Sequence, residues 1–246
     1  MNGNSSEIPV EVFLAGPAPC VYFPDRTSQA IIVDSPRDHR GDAYSCLAKA
    51  GYRRTGSMIY RPHCDGCNAC IPLRIVVDGH TPSRRFRRVL ARNADLAVQL
   101  VGAGDMTDEH FGLYRRYIEG RHGDGGMYPP SRADYLTFAE SRGIDTLALD
   151  CRDGRGRLVA SAVTDVLDHG LAAVYTFFDP GLPRRSLGVF TILRQIAECR
   201  RRGLPHLYLG YWIDELPKMR YKAEYQPAEI LREGAWVSVE HWHRQA

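Results

Sequence analysis

Residues 171–212 read LAAVYTFFDPGLPRRSLGVFTILRQIAECRRRGLPHLYLGYW, and this stretch decides the fold. Its two ends are rich in β-branched and aromatic residues, which is typical of buried strands. Between them, apolar residues recur at steps of three and four from Val189, which predicts a helix that ends at Gly203. A strand, a loop, a helix and a second strand place backbone N–H groups at the start of the helix, where an anionic ligand can bind. The sequence therefore predicts that the functional site lies in this unit.

The composition indicates a globular protein. The 246 residues are 44% hydrophobic, which is enough for one large domain or two small ones. We divide the chain into an N-terminal cysteine-rich domain (1–78) and an acyltransferase-like domain (79–246). No apolar run approaches the roughly 18 residues that span a bilayer, and the N-terminus lacks the pattern of a signal peptide. These features predict a cytoplasmic protein without a membrane partner.

A cysteine cluster is the first chemical signal. Cys64, Cys67 and Cys70 follow C-x2-C-x2-C spacing, which lets neighbouring thiolates turn toward one ion at about 2.3 Å. Cys20 is the candidate for a fourth ligand, because the other cysteines lie in predicted helices or strands. The pattern favours a zinc ion or an iron–sulfur cluster. The alternative is a set of reduced cysteines without a ligand.

An arginine-rich helix is the second signal. Ser83 is a candidate N-cap for a helix on which Arg84, Arg88 and Arg92 share one face. Arginines this close together repel one another by a few tenths of a kcal/mol per neighbouring pair. A phosphate backbone would relieve that repulsion, so we favour nucleic-acid contact over a face that is merely solvated.

The order of elements suggests a fold. Three antiparallel strands, a loop at a helix start, the helix and a further strand resemble the core of the GCN5-related N-acyltransferases. We therefore expect an α+β fold with a single or duplicated mixed sheet and flanking helices. The coenzyme A loop of that family reads R/Q-x-x-G-x-G/A. Here Arg185 and Gly188 match, but Phe190 stands where a small residue belongs, so coenzyme A is not the expected donor.

Longer motifs resemble a specific family, the bacterial aspartate/glutamate leucyltransferases, which are the bacterial branch of the arginyl-tRNA:protein transferases. The resemblance covers about Pro17 to Trp236. It is carried by Cys20-x-Tyr22-x-Pro24, the run Tyr60 to Arg74 with its three cysteines, Pro82-Ser83-Arg84, Arg121-His122, Val174 to Pro180, Ser186-Leu187-Gly188, Tyr208 to Ile213 and Lys218-Met219-x-Tyr221-Lys222. It implies transfer of leucine from leucyl-tRNA to the N-terminal amine of proteins beginning with Asp or Glu, which marks them for degradation. The implied partners are leucyl-tRNA and those acceptor proteins, and not DNA.

The implied reaction is aminolysis of an ester, which needs orientation of the reactants and stabilisation of an oxyanion but no cofactor. Candidate catalytic residues lie on or beside the two predicted strands: Tyr175, Thr176, Asp179, Tyr208 and Tyr211. Candidate tRNA-binding residues come from the arginine helix, the loop and the C-terminal motif: Arg84, Arg88, Arg92, Arg185, Ser186, Gly188, Lys218, Tyr221 and Lys222. Arg61 and Arg74 flank the cysteines and are candidates for binding the acidic acceptor side chain.

Three alternatives remain open at this stage. The transferred residue could be arginine. A coenzyme A-dependent N-acetyltransferase would share the fold and would use the Arg185 loop. A non-catalytic RNA-binding protein with a cysteine ribbon would account for both the cysteines and the arginine helix.

Overall fold

The computed structural model describes residues 10–35, 40–123, 125–139 and 143–242. Within these residues the protein has two sheets and seven α-helices. The strands are β1 (Glu11–Pro19), β2 (Thr27–Asp34), β3 (Arg53–Thr55), β4 (Met58–Pro62), β5 (Ile71–Val76), β6 (Ala97–Gly102), β7 (Thr146–Arg152), β8 (Leu158–Leu167), β9 (Gly170–Phe178), β10 (His206–Trp212), β11 (Ala228–Arg232) and β12 (Ala235–Ser238). The helices are α1 (Arg40–Lys49), α2 (Arg84–Arg92), α3 (Asp108–Arg121), α4 (Arg132–Ala139), α5 (Leu187–Arg201), α6 (Pro217–Arg220) and α7 (Val239–Trp242). The polar composition of the first ten residues predicts a loosely held segment, of which residues 1–9 lie outside the described residues.

The large sheet has the strand order β12-β11-β5-β10-β9-β8-β7-β6. Neighbouring strands are antiparallel except β9 and β10, which are parallel and are joined by α5. Helices α2 and α5 pack on one face, and α3 and α4 contribute to a separate apolar cluster with β8 and β9. The predicted α+β fold, with a mixed sheet and flanking helices, is confirmed.

The two parallel strands separate soon after they meet. They pair only from His206 with Gly170 to Tyr208 with Ala172. Each strand has a register shift toward its outer neighbour just beyond these pairs, at Val174 on β9 and Leu209 on β10. A β-bulge bends the strand that carries it, so the two bulges turn β9 and β10 apart. We call the resulting wedge-shaped opening the splay.

The N-terminal part is not a separate body. Strands β1 to β4 form a small antiparallel sheet in the order β1-β2-β4-β3, and α1 packs beside it. Strand β5 lies in the large sheet between β11 and β10, so the predicted boundary at residue 78 separates it from its own sheet. Strand β5 belongs to the large sheet because its alternate residues Ile71, Leu73 and Ile75 are buried in the main core. Within the described residues, no helix is long and apolar enough to cross a membrane.

Candidate active site

An arginine from the small sheet fills the splay. The Arg53 side chain donates from Nη2 to the carbonyl oxygens of Ala173 at 2.9 Å and Val174 at 3.4 Å on β9. On the β10 side it lies over Gly210, where an added Cβ would stand only 2.0 Å from Nη1. Gly210 also has a φ of 74°, a region that glycine adopts without strain. Arg53 therefore occupies the gap that the two bulges open.

A buried lysine lies next to that arginine. Lys222 is only 8% exposed, and its Nζ donates to the carbonyl oxygen of Tyr211 at 2.6 Å. Tyr211 follows Gly210 in β10, so consecutive strand residues contact the two cations. Burial, and then the charge of Arg53, lower the pKa of Lys222 to about 7, while the Cys70 thiol has a smaller raising effect. Within the described residues no carboxylate forms an ion pair with Arg53 or Lys222.

Tyrosines form the wall around the two cations. The Tyr211 hydroxyl donates to the carbonyl oxygens of Gly51 at 3.2 Å and Tyr60 at 3.3 Å, which ties β10 to the small sheet. The Tyr60 and Tyr211 rings meet edge to face, with centroids 6.2 Å apart. Burial raises the pKa of the Tyr221 hydroxyl, and the nearby Arg53 charge acts in the opposite direction. The site is thus a cationic centre enclosed by neutral aromatic groups.

The predicted catalytic hydroxyls have other protein partners. Tyr208 contacts Arg74 and His169 through its hydroxyl, at 3.3 and 3.0 Å, and Tyr211 binds the carbonyls described above. The Tyr175 hydroxyl donates to the Met127 sulfur at 3.4 Å within the α3–α4 cluster. Each of these three hydroxyls therefore has a hydrogen-bond partner within the protein. Thr176 is half-buried on β9, opposite Ala162 of β8.

Asp179 was a candidate general base, and the structure gives its carboxylate a different role. One oxygen accepts from the Gly181 N–H at 2.8 Å, and the other accepts from Arg157 at 3.0 Å. The first bond closes the turn after β9, as Asp side chains commonly do. Asp179 is therefore committed to the turn and to an ion pair.

The Arg185 turn is held by the end of the arginine helix. The Arg185 guanidinium forms two bonds to the Asp95 carboxylate, at 2.8 and 2.9 Å, and the Asn93 amide donates to the Arg185 carbonyl at 2.8 Å. Ser186 has a φ of 53° and starts α5, while a Cβ on Gly188 would stand 3.3 Å from the Phe178 ring. Gly188 is thus required for close packing of α5 on β9, and the Arg185 side chain is paired rather than open.

Helix α2 connects the Arg185 turn to the C-terminal motif. Ser83 caps the helix by accepting the Phe86 N–H at 3.3 Å, which confirms the predicted start. At this end of the helix, Phe86 stacks on Tyr225 with centroids 4.6 Å apart, and Arg85 forms an ion pair with Glu224. Arg84, Arg88 and Arg92 are exposed along α2, as are Lys218 and Tyr221 in the C-terminal motif. The predicted tRNA-binding residues therefore lie on adjoining elements, with the exception of Lys222, which points inward.

The two candidates for acceptor recognition both have partners within the protein. Arg74 pairs with Glu229 at 2.7 Å and stacks over the Trp236 ring at 4.3 Å. Arg61 donates to the Ala50 carbonyl at 3.1 Å and lies over the Tyr52 ring. Both arginines are therefore engaged by other groups of the protein in this structure.

The four predicted metal ligands line one cavity of about 940 Å³ between the cysteine loop and β12: Cys20, Cys64, Cys67 and Cys70. Burial, and then the Cys20, Cys64 and Cys67 thiols, raise the pKa of Cys70 to about 12. Arg26 donates to the Cys67 sulfur at 3.5 Å, the kind of contact that supports a thiolate ligand. Among the described residues, however, no three cysteine, histidine or carboxylate side chains are placed together so as to hold one metal ion. The donor chemistry fits zinc or an iron–sulfur cluster, whereas ligation would require the thiols to move closer together.

Comparison with known families identifies the chain. The model for the N terminus of arginine-tRNA-protein transferase matches residues 18–88, and the model for its C terminus matches residues 109–232, which is half of the sequence. The chain belongs to the arginine-tRNA-protein transferase family. Arg53 lies in the region that matches the N-terminal model, and β9, β10 and Lys222 lie in the region that matches the C-terminal model.

Close relatives carry a more specific name. The aspartate/glutamate leucyltransferase of Alcanivorax borkumensis is 51% identical over 88% of this chain and 89% of that protein. The aspartate/glutamate leucyltransferase of Marinobacter nauticus is 49% identical over 91% of this chain and 94% of that protein. Among solved structures, L-PGS from Bacillus licheniformis is similar at 13% identity and a TM-score of 0.49, over 80% of this chain and 63% of that one.

Proposed function

We propose that this chain transfers leucine from leucyl-tRNA to the α-amine of proteins that begin with Asp or Glu, and so marks them for degradation in the cytoplasm. Family membership and the leucyltransferase relatives support the reaction class. One observation carries the proposal at the level of the site: Arg53 fills the splay. In an acyltransferase sheet of this kind that gap would otherwise be open to a thioester carrier, so a donor that arrives from outside the sheet is favoured.

The proposed chemistry is a direct acyl transfer. The amine nitrogen attacks the ester carbonyl carbon, an amide bond forms, and the bond from that carbon to the ribose oxygen breaks. The proton lost by the amine ends on the ribose oxygen, so neither redox chemistry nor a covalent enzyme intermediate is needed. An α-amine has a pKa of about 7.7–8.0, and therefore part of it is already neutral near pH 7.5.

The protein's contribution to that chemistry is orientation and charge stabilisation. Beyond Ala172, β9 has no pairing partner in β10. Arg53 uses carbonyl oxygens of this edge, so we assign the ester and the developing oxyanion to the backbone N–H groups that the separation of the two strands leaves unpaired. Fixed dipoles of this kind stabilise a transition state without reorganising. The aromatic wall limits water, which would otherwise hydrolyse the ester.

The exposed cations of α2 and α6 support contact with the tRNA backbone. Arg84, Arg88 and Lys218 are exposed, and the Phe86–Tyr225 stack joins α2 to the segment that follows α6. The exposed Tyr221 ring offers a stacking surface for a terminal base, an interaction worth about 1–3 kcal/mol. Arg85 is less available because it pairs with Glu224.

A transfer assay tests the proposal. Purified protein given tRNA charged with labelled leucine and a peptide with N-terminal Asp is expected to yield leucyl-peptide, and ribonuclease treatment of the donor should abolish the product. The same peptide with an acetylated N-terminus is the control and should stay unmodified. Equal product with and without ribonuclease treatment would contradict an RNA-borne donor.

Two variations of the assay separate the alternatives. Replacing the donor by arginyl-tRNA is expected to lower the rate at least tenfold, and a faster reaction with arginine would reverse the assignment of the donor. Acetyl-coenzyme A is expected to give no product, because Asp95 pairs with Arg185 at the turn where a pyrophosphate would bind. Binding of tRNA without transfer to any peptide would favour the RNA-binding alternative.

We also propose that Cys20, Cys64, Cys67 and Cys70 hold a zinc ion or an iron–sulfur cluster that supports the N-terminal fold. Protein purified without chelators should carry about one such group per chain, measured by elemental analysis and by visible absorbance. Cys64→Ser should lower that content severalfold, whereas Cys46→Ser, at an exposed thiol on α1, should not. A wild-type protein without zinc or iron would refute this role.

A further inference from the structure

Two adjacent cations without a carboxylate partner are unusual inside a protein. Arg53 bonds to the carbonyl oxygens of Ala173 and Val174, and Lys222 bonds to that of Tyr211. Carbonyl dipoles only partly offset the loss of hydration of two charges. Among the described residues, no Asp or Glu carboxylate forms a hydrogen bond or an ion pair with either side chain. The centre therefore lacks one negative charge, and an anionic ligand would supply it.

The position of the centre indicates which anion. It lies where β9 and β10 separate, beside the backbone edges that we assign to the ester. In an acceptor that begins with Asp or Glu, one or two methylene groups join the carboxylate to the carbon that carries the attacking amine. An enzyme that brings the amine to the splay must therefore bring the carboxylate within a few bonds of it, and the cation that reads the carboxylate must lie there too.

Other cations near the cleft are less suitable. Arg74 pairs with Glu229 at 2.7 Å, and Arg26 pairs with Glu215 at 3.4 Å in the cysteine cavity. The exposed arginines of α2 are solvated and follow the outer surface, where they suit a phosphate chain. Within the part of the chain that the structure describes, the half-buried Arg53 and the buried Lys222 are cations that have no acidic partner and lie at the splay.

We propose that Arg53 and Lys222 bind the side-chain carboxylate of the acceptor's first residue and so set the specificity for Asp and Glu. This inference rests on the proposed function. A site built around an ionic partner rejects the uncharged isostere strongly, because its own buried charges are then left unpaired. The geometry therefore assigns to the splay a specificity role that goes beyond orienting the amine.

The test compares isosteric acceptors. Peptides identical except for Asp or Asn, and Glu or Gln, at the first position are assayed with leucyl-tRNA, using wild-type protein and the variants Lys222→Met, Arg53→Met and Arg53→Lys. Wild type is expected to prefer Asp over Asn by at least about a hundredfold in kcat/KM. Lys222→Met and Arg53→Met should reduce that preference at least tenfold, mainly through a higher KM for the Asp peptide. Arg53→Lys keeps the charge and should retain most of the preference.

Controls separate this inference from folding and from the proposed function. Lys49→Met removes an exposed lysine on α1 and should behave as wild type. The affinity of each variant for leucyl-tRNA reports whether it is folded.

If wild type adds leucine to the Asp peptide and both Met variants keep the full Asp-to-Asn ratio, the inference is overturned while the function stands. If kcat falls equally for Asp and Asn, Lys222 acts on the amine rather than on the carboxylate, and the inference is likewise overturned. If wild type modifies no peptide, the proposed function itself fails.

Discussion

Asp165→Ala is expected to destabilise the protein by about 3–5 kcal/mol, because it leaves a buried arginine without its counter-charge. Both oxygens of Asp165 accept from Arg54 at 2.6 Å, and one also accepts from Thr146 at 2.7 Å. Both side chains of the ion pair are fully buried. Arg54 comes from β3 and Asp165 from β8, so the pair joins the small sheet to the large one.

This expectation can be measured by urea unfolding followed through tryptophan fluorescence, to which Trp212, only 1% exposed, contributes. Arg157→Ala is a suitable control, because it removes a half-exposed partner of Asp153 and Asp179 and should cost below about 1 kcal/mol. The double variant Arg54→Met with Asp165→Leu should recover much of the loss, since apolar pairs often replace buried ion pairs at little cost. A loss below about 1 kcal/mol for Asp165→Ala would mean that the two sheets do not depend on this contact.

The neighbouring arginine in the same strand is the one for which we propose a functional role, and sequence reasoning could not distinguish the two. Arg53 and Arg54 are consecutive, and alternation in a strand sends their side chains to opposite faces. One meets Asp165, while the other meets carbonyl oxygens in the splay. Both partners lie more than a hundred residues away, and the opening itself depends on bulges in β9 and β10. In the sequence around this position, the two consecutive arginines are the feature that could have drawn attention to either of them.

Features that depend on local sequence were predicted well. The Ser83 cap and the β9–α5–β10 unit follow from neighbouring residues, and the structure has both. Strand β1 was not predicted, because its side chains are almost all exposed and it depends on pairing with β2. Asp179 could serve as a base or as a turn residue by sequence alone, and only the positions of Gly181 and Arg157 decide between them.

Lys222 shows how a small change in helix pitch reverses a prediction. On a continuous α-helix, spacing of three and four residues would put Lys218, Tyr221 and Lys222 on one face. Helix α6 ends at Arg220, however, and residues Tyr221–Glu224 form a 3-10 turn. The tighter turn has about three residues per turn, which rotates Lys222 toward Tyr211 and away from solvent. A residue predicted to bind phosphate therefore lies in the interior.

Lys222→Met is expected to stabilise the protein by roughly 2 kcal/mol below pH 7, because it removes a buried charge that has no carboxylate partner. Burial, and then the Arg53 charge, lower the pKa of Lys222 from its ordinary 10.5 to about 7 in the folded protein. Between these values the unfolded chain binds a proton that the folded chain does not, so wild-type stability rises with pH. Below about pH 7 both states carry the proton, and the full penalty is present.

The gain from Lys222→Met should therefore shrink as the pH rises from 7 toward 10.5. Urea unfolding at pH 6.5 and pH 9 measures the difference, with Lys49→Met as the exposed control that changes little at either pH. A purely structural lysine, held by its bond to the Tyr211 carbonyl at 2.6 Å, would give the opposite result at pH 6.5, which is a loss of stability on substitution.

Acceptor binding connects the stability of the folded protein to its specificity. A ligand that binds only the folded state stabilises it by RT ln(1 + [L]/Kd), and a carboxylate beside Lys222 also removes the penalty for that charge. A peptide beginning with Asp should therefore raise the melting temperature of the wild type more than the Asn peptide does. In Lys222→Met the two peptides should differ little, although this variant is the more stable protein. A cation that weakens the empty enzyme while distinguishing Asp from Asn is explained by recognition of the acceptor, whereas packing alone would predict neither effect.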